Sequence, residues 1–129
     1  MDNKIAIIGG GNLGSAIAEG LIESGFVQAE NIVLTKRNLL TIQHLAANGV
    51  VVTSDNATAV KDAQYVILAV KPYQVKDIIN EIKPNLNFKK HTLISVITGV
   101  WINDLEEMVG KDFGVVRAMP NTAIAIQES

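Results

Sequence analysis

Residues 5–14 read IAIIGGGNLG, an apolar run that passes directly into a glycine-rich loop. The run predicts a strand buried on both faces, and the apolar residues after Gly14 recur at helical spacing. Gly9, Gly11 and Gly14 have the GxGxxG spacing that, between a strand and a helix, is typical of a loop binding a dinucleotide pyrophosphate. A glycine-rich turn that merely reverses the chain is the alternative.

The rest of the chain alternates short apolar runs with longer segments of helical period. Strands are expected at residues 5–8, 32–34, 50–52, 66–70, 93–96 and 115–116. This alternation predicts an α/β fold, a doubly wound and mostly parallel sheet with flanking helices of the Rossmann type, in the strand order 3-2-1-4-5-6. Pro72 suits a helix start, whereas Pro84 cannot continue a helix. In such a sheet, ligands bind beyond the carboxyl ends of the strands.

Composition narrows the functional class. The 129 residues are 48% hydrophobic, carry a net charge of -2 and include no cysteine. Mixed charge argues against nucleic acid, and without cysteine there is neither a disulfide nor a thiolate nucleophile. The N-terminal apolar run is too short for a membrane span or a signal sequence, so we expect a cytoplasmic protein without a membrane partner. His44 and His91 lack metal-ligand spacing, so no metal is expected and both are predicted to be solvated.

The end of the second predicted strand bears on the choice of dinucleotide. An acidic residue there would bind the ribose 2′-hydroxyl of NAD, but the sequence reads Thr35, Lys36, Arg37, Asn38. The cations suit a 2′-phosphate, so NADP is favoured, with NAD as the second choice. The alternative is that Lys36 and Arg37 are solvated charges at the start of a helix.

Three later segments fall at predicted strand ends and are expected near the same crevice. Residues 69–72 read AVKP, residues 95–99 read SVITG, and residues 117–123 read RAMPNTA. Each could instead be a turn or a helix cap.

Taken together, the glycine loop, Asn56, the AVKP segment and the RAMPNTA segment resemble pyrroline-5-carboxylate reductase over essentially the whole chain. The resemblance implies NADPH-dependent reduction of the cyclic imine 1-pyrroline-5-carboxylate to L-proline, the last step of proline biosynthesis. It implies that Gly11, Asn12 and Leu13 contact the pyrophosphate of the cofactor. It further implies that Thr35, Lys36, Arg37 and Asn56 contact the adenosine side, that Val70, Lys71 and Thr98 contact the nicotinamide side, and that a substrate pocket lies nearby. The implied cofactor residues are Gly9, Gly11, Asn12, Leu13, Gly14, Thr35, Lys36, Arg37, Asn56, Ala69, Val70, Lys71, Pro72 and Thr98, and the implied substrate residues are Met119, Pro120 and Asn121.

The resemblance also sets expectations about domains. It implies that residues 1–129 form the dinucleotide-binding domain, truncated near its C-terminal end, and that the helical dimerisation domain of the family is absent from this chain. We therefore expect the full-length protein to be a homo-oligomer and the 129-residue chain to bind cofactor weakly with little or no turnover. No catalytic acid is assigned, since Lys71 is interpreted as supporting the cofactor. Two alternatives stay open, namely an NADP-dependent hydroxyacid dehydrogenase-like reductase and a non-catalytic dinucleotide-binding module.

Overall fold

The computed structural model describes residues 4–87, 89–97, 102–110 and 114–117, which form one six-stranded sheet. All five strand pairs are parallel, and the strand order is β3-β2-β1-β4-β5-β6. This confirms the predicted doubly wound sheet. The strands are β1 (Ile5–Ile8), β2 (Ile32–Thr35), β3 (Val51–Thr53), β4 (Tyr65–Leu68), β5 (Thr92–Ser95) and β6 (Gly114–Arg117).

Helices connect the strands on both faces of the sheet. The described α-helices are α1 (Asn12–Glu23), α2 (Gln43–Ala47), α3 (Asn56–Val60), α4 (Val75–Ile82) and α5 (Ile102–Val109). Pro72 opens a short 3-10 turn, Pro72–Gln74, that leads into α4. Helix α4 ends at Ile82, and a second 3-10 turn containing Pro84 follows. Both prolines therefore act as the sequence predicts, because proline suits a first helical turn but cannot donate a hydrogen bond within one. Within the described residues, no helix combines the length and the apolar character that crossing a bilayer requires.

The hydrophobic core lies in two layers, one on each face of the sheet. Alternate residues of β1 divide between them, with Ala6 and Ile8 in one layer and Ile5 and Ile7 in the other. All four residues of β1 are buried, as expected for a central parallel strand covered on both faces. Its carboxyl end, where the glycine loop begins, is thereby fixed in the middle of the sheet.

The fourth strand is shifted from its predicted position. It was expected at residues 66–70, but it begins at Tyr65 and ends at Leu68. The N–H of Ala69 still donates to the carbonyl of Ile8 at 2.9 Å, after which the chain leaves the sheet. This puts Ala69 and Val70 in the loop beyond the strand rather than within it.

The prediction that His91 is solvated is wrong, because its side chain is buried. The ring nitrogen Nδ1 accepts from the N–H of Asn87 at 3.0 Å, and Nε2 lies 2.7 Å from the carbonyl oxygen of Val60. A backbone N–H can only donate, so Nδ1 carries no proton and Nε2–H donates to Val60. His91 thus links the end of α3 to the approach to β5. By contrast, His44 is exposed, as predicted, beside Glu19.

Candidate functional site

A cleft of about 730 Å³ opens at the carboxyl edge of the sheet, over β1 and β4, where the strand order reverses. Loops that follow β1, β2, β3, β4 and β5 all reach it. This is the position at which doubly wound sheets bind ligands, and the volume is within the usual range for small-molecule sites. The described lining residues are Ile8, Gly9, Gly10, Gly11, Asn12, Leu13, Thr35, Lys36, Arg37, Ser54, Asn56, Ala69, Val70, Lys71, Pro72, Gln74, Ile78, Glu81, Val96 and Ile97.

The glycine loop has different requirements at its three motif positions. Gly9 has φ +110°, and a Cβ there would lie 2.7 Å from the carbonyl oxygen of Ala69. At Gly14, which is buried beneath the loop, a Cβ would collide with the carbonyl oxygen of Gly9. At Gly11 a Cβ would meet nothing within 4 Å. Gly9 and Gly14 are therefore required by the fold, whereas the space beside Gly11 is open to a ligand.

The first turn of α1 faces the cleft and can hold an anion. Gly11 is the N-cap residue, and among the described residues no side chain caps the helix. The first turn also carries no acidic residue, so the partial positive charge of the helix N-terminus is not neutralised locally. Unpaired N–H groups at such a terminus bind phosphate oxygens. The predicted role of Asn12 and Leu13 beside a pyrophosphate is compatible with this geometry.

Thr35 supports the glycine loop from within the protein. Its side chain is buried, and Oγ1 accepts a hydrogen bond from the N–H of Gly9 at 3.2 Å. From the other side, the hydroxyl of Ser15 donates to the carbonyl of Gly10 at 3.1 Å. Thr35 also lines the cleft, and its predicted contact with the adenosine side stays a prediction.

The cations after β2 do reach the cleft. Lys36 is half-buried and Arg37 is exposed, and both line it. The N–H of Lys36 donates to the carbonyl of Thr53 at 3.1 Å, which keeps the end of β2 beside β3. Asn38 is used differently, because its Oδ1 accepts from the N–H of Leu40 and caps a 3-10 turn.

The loop after β3 brings Asn56 to the cleft as the first residue of α3. Asp55 caps this helix, accepting from the N–H of Thr58 at 3.2 Å and from its hydroxyl at 2.6 Å. These hydrogen bonds, led by the one from the Thr58 hydroxyl, hold the pKa of the Asp55 carboxyl below its ordinary value of 3.8. The cap fixes the position at which Asn56 enters the site.

The AVKP segment forms the opposite wall. Ala69, Val70, Lys71 and Pro72 all line the cleft, as predicted. The carbonyl Oε1 of Gln74 accepts from the N–H of Lys71 at 3.0 Å and so fixes the bend between β4 and the following 3-10 turn. This hydrogen bond from the backbone of Lys71 to the side chain of Gln74 stabilises the position of Lys71.

Most of the predicted cofactor residues thus converge on one cleft, with Gly14 packed beneath it. Thr98 and the predicted substrate residues Met119, Pro120 and Asn121 lie outside the described residues. No group of three or more metal-ligating side chains occurs among the residues that the structure describes. Gly10, Val96 and Ile97 line the cleft from within the predicted glycine loop and the predicted 95–99 segment. The lining residues that the sequence did not indicate are Ile8, Ser54, Gln74, Ile78 and Glu81.

The parallel sheet, the glycine loop and the cleft at the strand reversal define a Rossmann-type domain. The chain belongs to the family described as NADP oxidoreductase coenzyme F420-dependent, whose model matches residues 4–99. Individual relatives of the chain indicate a narrower class of enzyme than the family model does. Pyrroline-5-carboxylate reductase 1 of Dictyostelium discoideum is 46% identical over 95% of this chain and 22% of its own length.

Solved structures agree with that resemblance. A pyrroline-5-carboxylate reductase from Coxiella burnetii is 37% identical with a TM-score of 0.88, over 98% of this chain and 47% of its own. The pyrroline carboxylate reductase of Plasmodium falciparum, solved with NADP bound, is 29% identical with a TM-score of 0.82, over 96% of this chain and 44% of its own. The chain therefore spans less than half the length of each of these relatives. The predicted resemblance to pyrroline-5-carboxylate reductase is confirmed.

Proposed function

We propose that this chain is the dinucleotide-binding part of an NADPH-dependent pyrroline-5-carboxylate reductase. The observation that carries the proposal is the single cleft in which the uncapped first turn of α1, the cations after β2 and the AVKP loop meet. The named relatives restrict the reaction class, because they are reductases of this imine. Other oxidoreductases share the fold, so the fold alone would leave the substrate open.

The residues present fit the proposed cofactor. The open space at Gly11 and the N–H groups of Asn12 and Leu13 would accommodate a pyrophosphate. Lys36 and Arg37 would bind a phosphate on the adenosine ribose, since charge-assisted hydrogen bonds are the strong ones. The loop of Ala69 and Val70 would then lie along the nicotinamide half, on the far side of the glycine loop.

The chemistry places modest demands on the protein. When bound, NADPH supplies the hydride that reduces the carbon of the C=N bond, and a protonated imine accepts hydride readily. The chain's own residues then act mainly by positioning, which alone lowers a barrier substantially. Lys71 supports the loop and the local positive charge in this scheme, and the proton donor is left to other groups. Thr98, Met119, Pro120 and Asn121 stay predictions for the nicotinamide and substrate side.

The oligomeric state and the cellular location of the enzyme are also proposals. Because those relatives are more than twice as long as the matched region, we infer that further chain completes the imine pocket and supports a homo-oligomer in such an enzyme. We accordingly expect the 129-residue chain to bind NADPH but to turn over slowly. A cytoplasmic site of action stays a prediction, which fluorescent tagging of the protein in its own cells would check.

Calorimetric titration of the purified chain with NADPH and with NADH tests the cofactor assignment. We expect binding of both, with tighter binding of NADPH. The substrate is tested by monitoring NADPH oxidation with 1-pyrroline-5-carboxylate and quantifying L-proline, with a 2-oxo acid as the matched control. No binding of either dinucleotide at millimolar concentration would contradict the assignment. Equal or greater turnover of the 2-oxo acid would contradict the imine specificity.

A further inference from the structure

Glu81 introduces a negative charge into a cleft whose other charged residues, among those described, are Lys36, Arg37 and Lys71. It lies in the last turn of α4 and is exposed, three residues after Ile78, which also lines the cleft. The opposite side of α4 is buried in the core. An acid at this position is unexpected in a site for a dinucleotide phosphate, so its contact with the protein is informative.

That contact is with Asn56. The amide Nδ2 of Asn56 donates to Oε2 of Glu81 at 3.4 Å. A carboxylate can only accept, so the amide nitrogen must be the end of the Asn56 side chain that faces Glu81. The carbonyl Oδ1 of Asn56 is then turned away from Glu81, and Asn56 offers the cleft a hydrogen-bond acceptor.

The spacing between α3 and α4 does not depend on the contact between Asn56 and Glu81. Nδ2 of Asn85, beyond the end of α4, donates to the carbonyl of Ala57 in α3 at 2.6 Å. The side chain of Asp55 separately caps α3. Removal of the Glu81 carboxylate should therefore change the orientation of the Asn56 amide without separating α3 from α4.

We propose that Glu81 is a positioning residue for the adenosine end of the dinucleotide, acting through the Asn56 amide. This inference rests on the proposed function. With its orientation fixed, Oδ1 of Asn56 accepts from a donor of the adenosine, its ribose 3′-hydroxyl or its amino group. A 2′-phosphate, charged and mostly without protons at neutral pH, is a poor donor, so that group is left to Lys36 and Arg37. NADPH and NADH share the donor that Asn56 binds, and Glu81 thus supports both cofactors.

Dissociation constants for NADPH and NADH test this in the 129-residue chain and in E81A, E81Q, N56A and the E81A/N56A double variant. We expect E81A to weaken both cofactors about three- to tenfold, which is the range for one neutral hydrogen bond. E81Q should retain most of the affinity, because the glutamine Oε1 accepts the same hydrogen bond. In the N56A background E81A should have no further effect, because the residue through which Glu81 acts is gone.

Other results overturn the inference. If E81A and E81Q both tighten the binding of NADPH, and E81A does so equally in the N56A background, then Glu81 acts as a through-space charge. If E81A binds both cofactors like the unsubstituted chain, Glu81 has no role, although the proposed function stands. Melting temperatures of E81A and of N85A, which loosens the link between α3 and α4, separate a loss of fold from a loss of positioning. Failure of the unsubstituted chain to bind either cofactor overturns the proposed function itself.

Discussion

The N–H of Gly9 donates to the buried hydroxyl of Thr35 at 3.2 Å, so the second strand holds the loop that follows the first. This hydrogen bond joins two segments that the sequence assigned to neighbouring parts of a dinucleotide, the pyrophosphate and the adenosine. Strand β2 therefore shapes the phosphate-binding loop as well as the charge beside it.

Thr35→Val removes the hydroxyl while keeping the side-chain shape, and leaves the partly buried N–H of Gly9 without its acceptor. We expect the free energy of unfolding to fall by about 1–2 kcal/mol and dinucleotide affinity to fall with it. Urea unfolding and calorimetry measure the two effects. Thr35→Ser keeps the hydroxyl and serves as the control, so equal losses in both variants would show that packing, rather than this hydrogen bond, is responsible.

Alanine substitution should separate two of the motif glycines. Gly14→Ala places a Cβ against the carbonyl oxygen of Gly9, and we expect a loss of about 1–3 kcal/mol in stability from the forced backbone shift. Gly11→Ala meets no protein atom, so stability should change little while NADPH binding weakens. Thermal melts and titrations of both variants are the measurement. A Gly11→Ala chain that binds NADPH normally would contradict a phosphate site at this position.

The double substitution Lys36→Ala and Arg37→Ala should reduce the preference for NADPH over NADH. Loss of charge-assisted hydrogen bonds predicts weakening of NADPH by about 10- to 100-fold, with a much smaller effect on NADH. With added salt, the affinity for NADPH should also fall more steeply in the unsubstituted chain than in the double variant. Lys76→Ala is the matched control, because this exposed lysine of α4 is not among the described cleft residues. Parallel losses for NADPH and NADH would exclude the proposed 2′-phosphate contact.

Asp55 makes stability depend on acid pH. Hydrogen bonds from the hydroxyl and the backbone N–H of Thr58 lower the pKa of Asp55 in the folded chain. The contribution of Asp55 to the free energy of unfolding is therefore fully present above its unfolded pKa and is lost as the pH falls through its folded pKa. This loss of stability begins as the pH falls to the ordinary pKa of 3.8 and continues below it. Urea midpoints at a series of pH values should fall less steeply there for Asp55→Asn, which keeps a capping side chain but does not titrate. Identical slopes in the two proteins would rule out this contribution.

The architecture was predictable because its signals are local. Glycine spacing after an apolar run fixes the strand, the turn and the start of α1, and continuous apolar runs indicate strands covered on both faces. From these, the strand order and the edge of the sheet that carries the cleft follow. The predicted convergence of Gly11, Lys36 and Lys71 is an outcome of this topology.

The errors and omissions concern side chains whose partners are distant in sequence. His91 was expected in solvent, yet the N–H of Asn87 donates to its Nδ1 and its Nε2–H donates to the carbonyl of Val60. Glu81 has the pattern of an ordinary exposed residue on an amphipathic helix, and its partner Asn56 lies in another helix. Periodicity gives the burial of a position but not which polar atoms meet across elements, so such pairs require the structure.

The parallel pairing of β1 also sets the order in which the molecule becomes functional. Ile5 pairs with Tyr65 and Ile8 with Leu68, so the first strand lacks one neighbour until the ribosome has passed Leu68. Such long-range contacts form slowly, and before they form Gly9 has no Ala69 carbonyl beside it. A dinucleotide that binds only the finished sheet would stabilise it by about 2.7 kcal/mol at one hundred times its dissociation constant. We therefore expect the cellular supply of reduced dinucleotide to influence how much of the newly made protein survives proteolysis.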